Sequence, residues 1–144
     1  MTGPEPSARQ IHATCVAYQG KGLLILGPSG SGKSALALQL MALGADLVAD
    51  DRTDLTRKDD RLIASCPVTL SGKIEARGVG ILRAVPAAPT DITLIVDLGQ
   101  SAPDRLPPQR DVTLLGLTRD LVCASQSDHF AAAILCYLKQ GRLA

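Results

Sequence analysis

The sequence predicts an α/β fold, and three observations carry that prediction. The apolar run Leu23-Leu24-Ile25-Leu26 is typical of a buried strand. A glycine-rich stretch follows it directly, and residues 33–43 then show the periodicity of a helix. Residues 92–97 form a second apolar run of strand length. Strand, glycine-rich loop and helix in this order are typical of α/β domains.

Composition narrows the possible classes of protein. The 144 residues suffice for one domain with its own core, which we expect to be aliphatic because the chain holds one Phe, two Tyr and no Trp. A net charge of +1 argues against nucleic-acid binding. The four cysteines are widely spaced, offer no zinc pattern and are interpreted as reduced thiols. No stretch resembles a membrane span or a signal peptide, so we expect a cytoplasmic protein.

The N-terminal part is predicted to lead into a hairpin. Residues 1–10 are expected to be a flexible lead-in, and residues 11–144 a single domain. Residues 11–18 form a predicted strand that pairs, across a turn at residues 19–22, with the strand that precedes the glycine-rich stretch. His12 opens this hairpin, where a lone histidine is more typical of packing or of the surface than of catalysis.

The glycine-rich stretch matches the phosphate-binding pattern G-x-x-x-x-G-K-[ST], or Walker A, at every fixed position. Glycines allow backbone angles that turn successive N–H groups toward one anion. Lys33 is expected to reach the outer phosphates of a nucleotide, and the Ser34 hydroxyl to hold Mg²⁺. The predicted nucleotide-binding residues are Gly27, Pro28, Ser29, Gly30, Ser31, Gly32, Lys33 and Ser34.

Two adjacent carboxylates, Asp50 and Asp51, follow a predicted short strand at residues 46–49. Adjacent side chains of a strand point to opposite faces, so we do not expect these two to share one task. One can face the phosphate site while the other caps a turn or faces solvent, and a simple surface turn is the alternative. Asp97, at the end of the strand of residues 92–97, is a rival, because an acid there supports Mg²⁺ in ordinary P-loop enzymes.

The segment of residues 74–82 is a second candidate for function. It follows a predicted hairpin of residues 54–56 and 62–64 with a charged tip. Glu75 and Arg77 are two residues apart and are expected on one side of an extended segment. Gly78 and Gly80 indicate close backbone approach or a tight change of direction. The pattern is compatible with a metal-and-phosphate site and equally with a surface ion pair.

Two helices and a further strand complete the prediction. The helix of residues 33–43 is expected to end at Gly44 in a left-handed cap, and a second helix over residues 128–140 to begin after an N-cap at Ser127. Residues 101–109 form a proline-containing linker that can be a functional loop, and residues 112–115 a strand. The buried helix stripes are expected to be Leu36, Leu40 and Leu43 in the first helix, and Phe130, Ile134 and Leu138 in the second.

Together these motifs resemble the catalytic domain of the HPr kinase/phosphorylase family, over residues 12–138. His12 precedes the glycine-rich stretch at the family's interval, and residues 47–51 read L-V-A-D-D, which is similar to the family's motif. Residues 75–81 read E-A-R-G-V-G-I, similar to the family's E-[IV]-R-G-[LM]-G-I, and residues 104–106 read D-R-L. The chain looks like the short form of the family, which lacks an additional N-terminal domain.

The resemblance implies a mixed β-sheet with a P-loop and flanking helices, like that of phosphoenolpyruvate carboxykinase-like P-loop kinases. It implies an ATP- and Mg²⁺-dependent serine kinase that phosphorylates HPr, the phosphocarrier of the phosphotransferase system, and that also dephosphorylates it with inorganic phosphate. The family tends to form hexamers, so we expect a homo-oligomer. Neither a nucleic acid nor a membrane is expected as a partner.

The resemblance also implies roles for individual residues. Asp51 would accept the proton of the HPr serine, and Lys33 would neutralise the β- and γ-phosphates. Ser34 and Glu75 would hold Mg²⁺. His12 and Arg105 would serve the active site, with Arg105 on a mobile loop near the transferred phosphoryl group. Asp97 would keep a structural role. The residues that match family motifs are Asp50, Arg77, Gly78 and Gly80.

Two alternative functions remain open from the sequence. One is a small-molecule P-loop kinase with Asp97 as its acid, although such an enzyme needs an arginine-rich lid and the chain offers only residues 105–110. The other is a nucleotide-sensing regulator that binds ATP without transferring phosphate.

Overall fold

Two parts of a curled β-sheet share one long strand, and that strand positions the other elements. The computed structural model describes residues 7–144. The strands are β1 (Ala8–Ile11), β2 (Thr14–Tyr18), β3 (Lys21–Leu26), β4 (Asp46–Ala49), β5 (Thr53–Lys58), β6 (Arg61–Ser65), β7 (Lys73–Ala76), β8 (Gly80–Arg83), β9 (Thr90–Ser101), β10 (Arg110–Leu114) and β11 (Leu117–Ala124). The helices are α1 (Lys33–Ala42) and α2 (Phe130–Gln140), with a short 3₁₀ helix at Val68–Leu70.

The shared strand is β9, which pairs with three neighbours. Its first residues, Thr90 and Asp91, pair antiparallel with β6, which continues to β5 and β1. Its later residues run parallel to both β3 and β11. Beyond β3 lie β2 and β4, and beyond β11 lies β10. Parallel and antiparallel pairs coexist in this sheet, and the predicted α/β class with a mixed sheet is therefore confirmed.

Two apolar cores lie on the two faces of the β3–β9 region. One packs the sheet against both helices and β7, and the other joins side chains from the two parts of the curled sheet. The largest fully buried side chains are Leu, Ile and Val, which confirms the predicted aliphatic core. Neither α1 nor α2, nor any other helix within residues 7–144, is long and apolar enough to cross a membrane.

The N-terminal predictions need two corrections. The prediction of a flexible lead-in over residues 1–10 is wrong for its last part, because Ala8 to Gln10 belong to β1 and pair with β5. Residues 1–6 lie outside the described residues. The single strand over residues 11–18 is also wrong. The chain bends at His12 because β1 pairs with β5 whereas β2 pairs with β3 and β4. The predicted hairpin of β2 with β3 is confirmed.

The end of α1 confirms the predicted glycine cap and corrects the predicted stripe. Gly44, with φ 112°, donates its N–H to the Met41 carbonyl at 3.0 Å, and Ala45 donates to the Leu40 carbonyl at 3.0 Å. These two bonds form a Schellman motif. Leu43 is the cap residue after the last helical turn, and its side chain is 49% exposed, so its place in the buried stripe was wrongly predicted.

The C-terminal region contains a strand that the sequence prediction lacks. β10 and β11 form a hairpin around Leu115 and Gly116, and β11 then runs parallel to β9. Arg119 on β11 donates to the carbonyls of Ile92 at 2.6 Å and Asp60 at 2.8 Å, which ties β11 to β9 and to the β5–β6 turn.

The second helix begins two residues later than predicted, at Phe130 instead of Asp128. His129 occupies the cap position. Ser127 accepts the His129 N–H at 3.1 Å in a turn before the helix and is not the N-cap. Ile134 and Leu138 are buried as predicted, and Phe130 is half-buried.

The helix α1 offers a matched test of this packing. Leu40→Ala removes a fully buried side chain and should lower the free energy of unfolding by about 2–5 kcal/mol. Leu43→Ala, on the same helix but half-exposed, should change it by less than about 1 kcal/mol. Urea unfolding followed by circular dichroism measures both, and equal losses for the two variants would contradict the described packing of α1.

Candidate active site

The glycine-rich loop, residues 27–34, connects β3 to α1. Three glycines adopt positive φ angles, 149° at Gly27, 82° at Gly30 and 99° at Gly32, and an L side chain would strain each of these positions. The Ser31 N–H donates to the Pro28 carbonyl at 3.1 Å and closes the loop. The loop therefore has a compact shape that depends on glycine.

The Lys33 side chain lies inside this loop. It is 7% exposed, and its ammonium Nζ donates to the carbonyls of Gly27 at 2.8 Å and Pro28 at 3.1 Å. Within residues 7–144 no carboxylate pairs with it. A buried cation ordinarily has an anionic partner, because desolvating an unpaired charge is costly.

The start of α1 adds further donors to the loop. The first N–H of this end that bonds to a backbone carbonyl is that of Leu36, which donates to Gly32 at 3.0 Å. The N–H groups of residues 33–35 have no acceptor within the helix, and the helix dipole is positive here. The Ser31 hydroxyl is buried as well, and no partner for it occurs in the described part of the chain. The loop thus concentrates unpaired donors and one cation.

The two adjacent carboxylates diverge, as predicted. Asp50 Oδ1 accepts hydrogen bonds from the Ser34 hydroxyl at 2.7 Å and from the Thr14 hydroxyl at 3.1 Å. The Thr14 oxygen in turn accepts the Asp51 N–H at 3.3 Å. Asp50 therefore faces the glycine-rich loop, and Thr14, buried in β2, holds both acids in place.

Asp51 faces His12 instead of the loop serine. Asp51 Oδ1 is in hydrogen-bonding contact with His12 Nε2 across 39 positions of sequence. Both side chains are more than half exposed, so this pair is accessible to a second molecule. Asp51 has a φ of 69°, a region that Asp and Asn tolerate better than most residues. His12 belongs to this site and is not a packing residue.

A half-buried thiol lies on the other side of the acid pair. Burial raises the pKa of Cys66, and the carboxylates of Asp54 and Asp50 raise it further. Burial is the larger cause, because it disfavours the charged thiolate, and the two nearby carboxylates act in the same direction. Cys66 is therefore poorly suited to act as a nucleophile here.

Residues 73–83 form a hairpin beside α1, not the extended segment that was predicted. Glu75 lies on β7 and is exposed, whereas its neighbour Ile74 is buried in the core that contains α1. Arg77 lies in the turn between β7 and β8, so it does not share a strand side with Glu75. Gly78 and Gly80 have φ angles of 86° and 143°, which confirms the tight change of direction. Within residues 7–144 no hydrogen bond or ion pair joins Glu75 to Ser34.

Arg105 is not in contact with the acid pair. It lies with Asp104 in the irregular segment of residues 102–109 and lines a groove against β11 and α2. The last part of β9 comes close to the glycine-rich loop, since a Cβ placed on Gly99 would lie 3.1 Å from the Pro28 Cδ atom. Arg105 follows this strand in the chain, whereas the acid pair follows β4.

The rival acid, Asp97, is engaged within its own strand. Its Oδ1 accepts the Gly99 N–H at 2.8 Å, and its Oδ2 accepts the Gln100 side-chain amide at 2.7 Å. Both oxygens therefore have partners in the chain. Thr14 was missed by the sequence prediction, because a threonine in an apolar strand carries no pattern that distinguishes it from a packing residue.

The fold and the site define a class: a mixed α/β domain with a glycine-rich loop at the start of a helix and a carboxylate pair beside it. The family model described as HPr Serine kinase C-terminal domain matches residues 6–106. The chain belongs to this family.

Individual relatives agree with this assignment. The chain is 36% identical over 113 residues to an HPr kinase/phosphorylase of Lactiplantibacillus plantarum, and the match covers 73% of the chain and 36% of that protein. It is 45% identical over 73 residues to the HPr kinase/phosphorylase of Clostridium tetani, covering 51% of the chain and 24% of that protein. The matches therefore span well under half of these relatives.

A solved structure extends the similarity to most of the fold. The structure of the Hpr(Ser) kinase/phosphatase from Coxiella burnetii matches with a TM-score of 0.77 and 25% identity, covering 91% of this chain and 88% of that one. The match of the family model ends at residue 106, so β10, β11 and α2 lie beyond it.

The hydrogen bonds of Thr14 can be tested by an isosteric change. Thr14→Val removes one of the two hydrogen bonds of the Asp50 carboxylate and leaves the Asp51 N–H without its partner, and should lower the free energy of unfolding by about 1–3 kcal/mol. Thr53→Val is the matched control, because Thr53 is equally buried but donates only to the Ala13 carbonyl, at 2.9 Å. Urea unfolding measures both variants. An equal loss of unfolding free energy in Thr53→Val and Thr14→Val would contradict the role of Thr14 in holding the two acids.

Proposed function

We propose that this chain is an ATP- and Mg²⁺-dependent serine kinase that phosphorylates the phosphocarrier protein HPr and that also removes this phosphate with inorganic phosphate. The observation that carries the proposal is the buried Lys33 ammonium, which has two carbonyl partners and no carboxylate within residues 7–144. Such a cation, enclosed by a glycine-rich loop at a helix start, is suited to bind the β- and γ-phosphates of a nucleotide.

The loop fits a polyphosphate in several independent ways. The unpaired N–H groups at the start of α1 and the unpartnered Ser31 hydroxyl can donate to phosphate oxygens. Glycine at positions 27, 30 and 32 leaves the backbone accessible to the ligand. We assign nucleotide binding to this loop, with Lys33 as its central charge.

The Ser34 hydroxyl and the Asp50 carboxylate offer oxygens of the kind that Mg²⁺ binds. This ion prefers oxygen ligands and is commonly held by one or two protein groups together with substrate phosphates. We propose Ser34 and Glu75 as its protein ligands, and Asp50 as the residue that orients the Ser34 hydroxyl through the 2.7 Å hydrogen bond. When bound, Mg²⁺ supplies charge neutralisation for the phosphates.

Asp51 is the proposed general base. As the serine oxygen of HPr bonds to the γ-phosphorus, the bond to the ADP oxygen breaks and the serine proton passes to the Asp51 carboxylate. His12, in contact with the same carboxylate, positions it. In the reverse direction inorganic phosphate attacks phosphoserine, and pyrophosphate and the free serine are the products.

The exposure of the His12–Asp51 pair suits a macromolecular acceptor. Both side chains are more than half exposed, so a serine on a protein surface can reach the carboxylate without entering a deep pocket. Arg105 would add a second positive charge at the phosphates. We also propose that the chain forms a homo-oligomer, on the family resemblance alone.

The activity is tested directly with purified components. Incubation with ATP, Mg²⁺ and HPr should raise the mass of HPr by one phosphate on serine, whereas HPr with that serine changed to alanine should stay unmodified. Phosphoserine-HPr with inorganic phosphate should give pyrophosphate. Lys33→Met should abolish both reactions, and an unmodified HPr in the wild-type reaction would refute the kinase proposal.

Asp51→Asn separates transfer from binding. Asn keeps the side-chain shape and tolerates the positive φ, so ATP affinity should stay unchanged while the transfer rate falls by about 10²–10⁴-fold. Asp59→Asn, an identical change at φ 58° in the β5–β6 turn, is the matched control and should retain full activity. Unimpaired transfer by Asp51→Asn would exclude Asp51 as the base.

A further inference from the structure

We propose that the groove between residues 101–107, the end of β11 and α2 binds the nucleoside part of the nucleotide whose phosphates occupy the glycine-rich loop. This inference rests on the proposed function, because it assumes that the loop binds a nucleoside triphosphate. It adds a site that neither the family match nor the loop motif assigns, since most residues that line the groove lie beyond the matched residues.

The topology brings the groove and the loop to one edge of the sheet. β3 runs parallel to β9, with Leu26 opposite Asp97, and β9 runs parallel to β11, with Asp97 opposite Cys123. The carboxyl ends of these three strands therefore coincide. The glycine-rich loop follows β3, and the groove lies where the chain leaves β9 and β11. Ligands of open α/β sheets bind at this edge.

The last part of β9, which leads into the groove, lies against the glycine-rich loop. A Cβ on Gly27 would lie 3.2 Å from Leu98 Cβ, and one on Gly99 would lie 3.1 Å from Pro28 Cδ. Ser101 and Ala102, only a few residues further along the chain, already line the groove. A ligand with its phosphates in the loop can thus continue into the groove without crossing another element.

The acid pair indicates the direction in which the nucleotide lies. β3 has two neighbours, β2 on one side and β9 on the other. Asp50, Asp51 and Thr14 belong to the β2 and β4 side. The transferred phosphate must face the general base, so the nucleoside extends toward the opposite flank, where β9, β11 and the groove lie.

The groove has the chemistry of a base-binding site. It includes a cavity of about 250 Å³ with an apolar floor of Val122, Phe130 and Ile134. Phe130 is the only phenylalanine of the chain, and an aromatic ring gives a nucleobase a surface for stacking. Polar groups at the rim, among them Asp104, Ser125 and His129, can bond to the base edge or the ribose.

The experiment compares two probes, ATP and inorganic triphosphate, whose difference is the nucleoside. Calorimetric titration with Mg²⁺ present gives both affinities for the wild type and for two variants. Phe130→Leu keeps an apolar side chain but removes the stacking surface, and should lower the affinity for ATP about tenfold. Ala133→Phe fills the groove from an exposed position on α2 and should lower the affinity for ATP at least as much. Neither variant should change the affinity for triphosphate.

Matched controls separate the site from the fold and from the proposed function. Cys136→Ala changes an exposed residue of α2 that does not line the groove, and should bind both probes like the wild type, with equal melting temperatures for all proteins. The nucleoside site would be overturned if the groove variants lost equal affinity for ATP and for triphosphate, or if they lost no affinity for ATP. Either result would leave the kinase proposal intact. A wild type that binds neither probe would overturn both.

Discussion

The hydrogen bonds of the Asp50 carboxylate join the two halves of the site. One bond comes from Ser34, the first residue after the loop lysine, and the other from Thr14 at the start of β2. Thr14 also accepts the backbone N–H of Asp51. A single buried hydroxyl thus bonds both to the carboxylate that reaches Ser34 and to the backbone of Asp51, so one short chain of hydrogen bonds links the glycine-rich loop to the Asp51–His12 pair.

The same arrangement explains why the two acids have different partners despite being adjacent. Asp50 is bound to hydroxyl groups on the inner side of the site, whereas Asp51 is held at φ 69° and turned outward to His12. The positive φ is tolerated because Asp is among the residues that adopt it at moderate cost. Adjacent residues therefore lie in two distinct environments, one directed at the glycine-rich loop and one open to solvent.

The parts that the sequence predicted well are those with local physical causes. The glycine-rich loop, the Gly44 cap and the hairpin of β5 with β6 depend on backbone angles and periodicity within a few residues. The predicted burial of Leu43 was wrong, because a leucine at helical spacing looks the same whether it lies in the last turn or one residue beyond it. The predicted position of Arg77 beside Glu75 was wrong, because the glycines indicate a turn without showing whether it begins before or after the arginine. Contacts across the fold, such as Thr14 with Asp50 and the parallel pairing of β11 with β9, depend on topology and could not be derived from spacing. The roles of Asp51, Glu75 and Arg105 remain proposals, as they were from the sequence.

The strand β9 has a consequence for how this domain can move. It belongs to both parts of the curled sheet and lies directly between the strand that carries the glycine-rich loop and the strand that ends at the groove. Separating the two parts of the sheet would require breaking the pairing of this one strand, so we expect them to unfold as one cooperative unit. The β7–β8 hairpin and residues 102–109 lie outside the main sheet and carry the exposed Glu75 and Arg105. A movement of either segment would therefore leave every pairing of β9 intact.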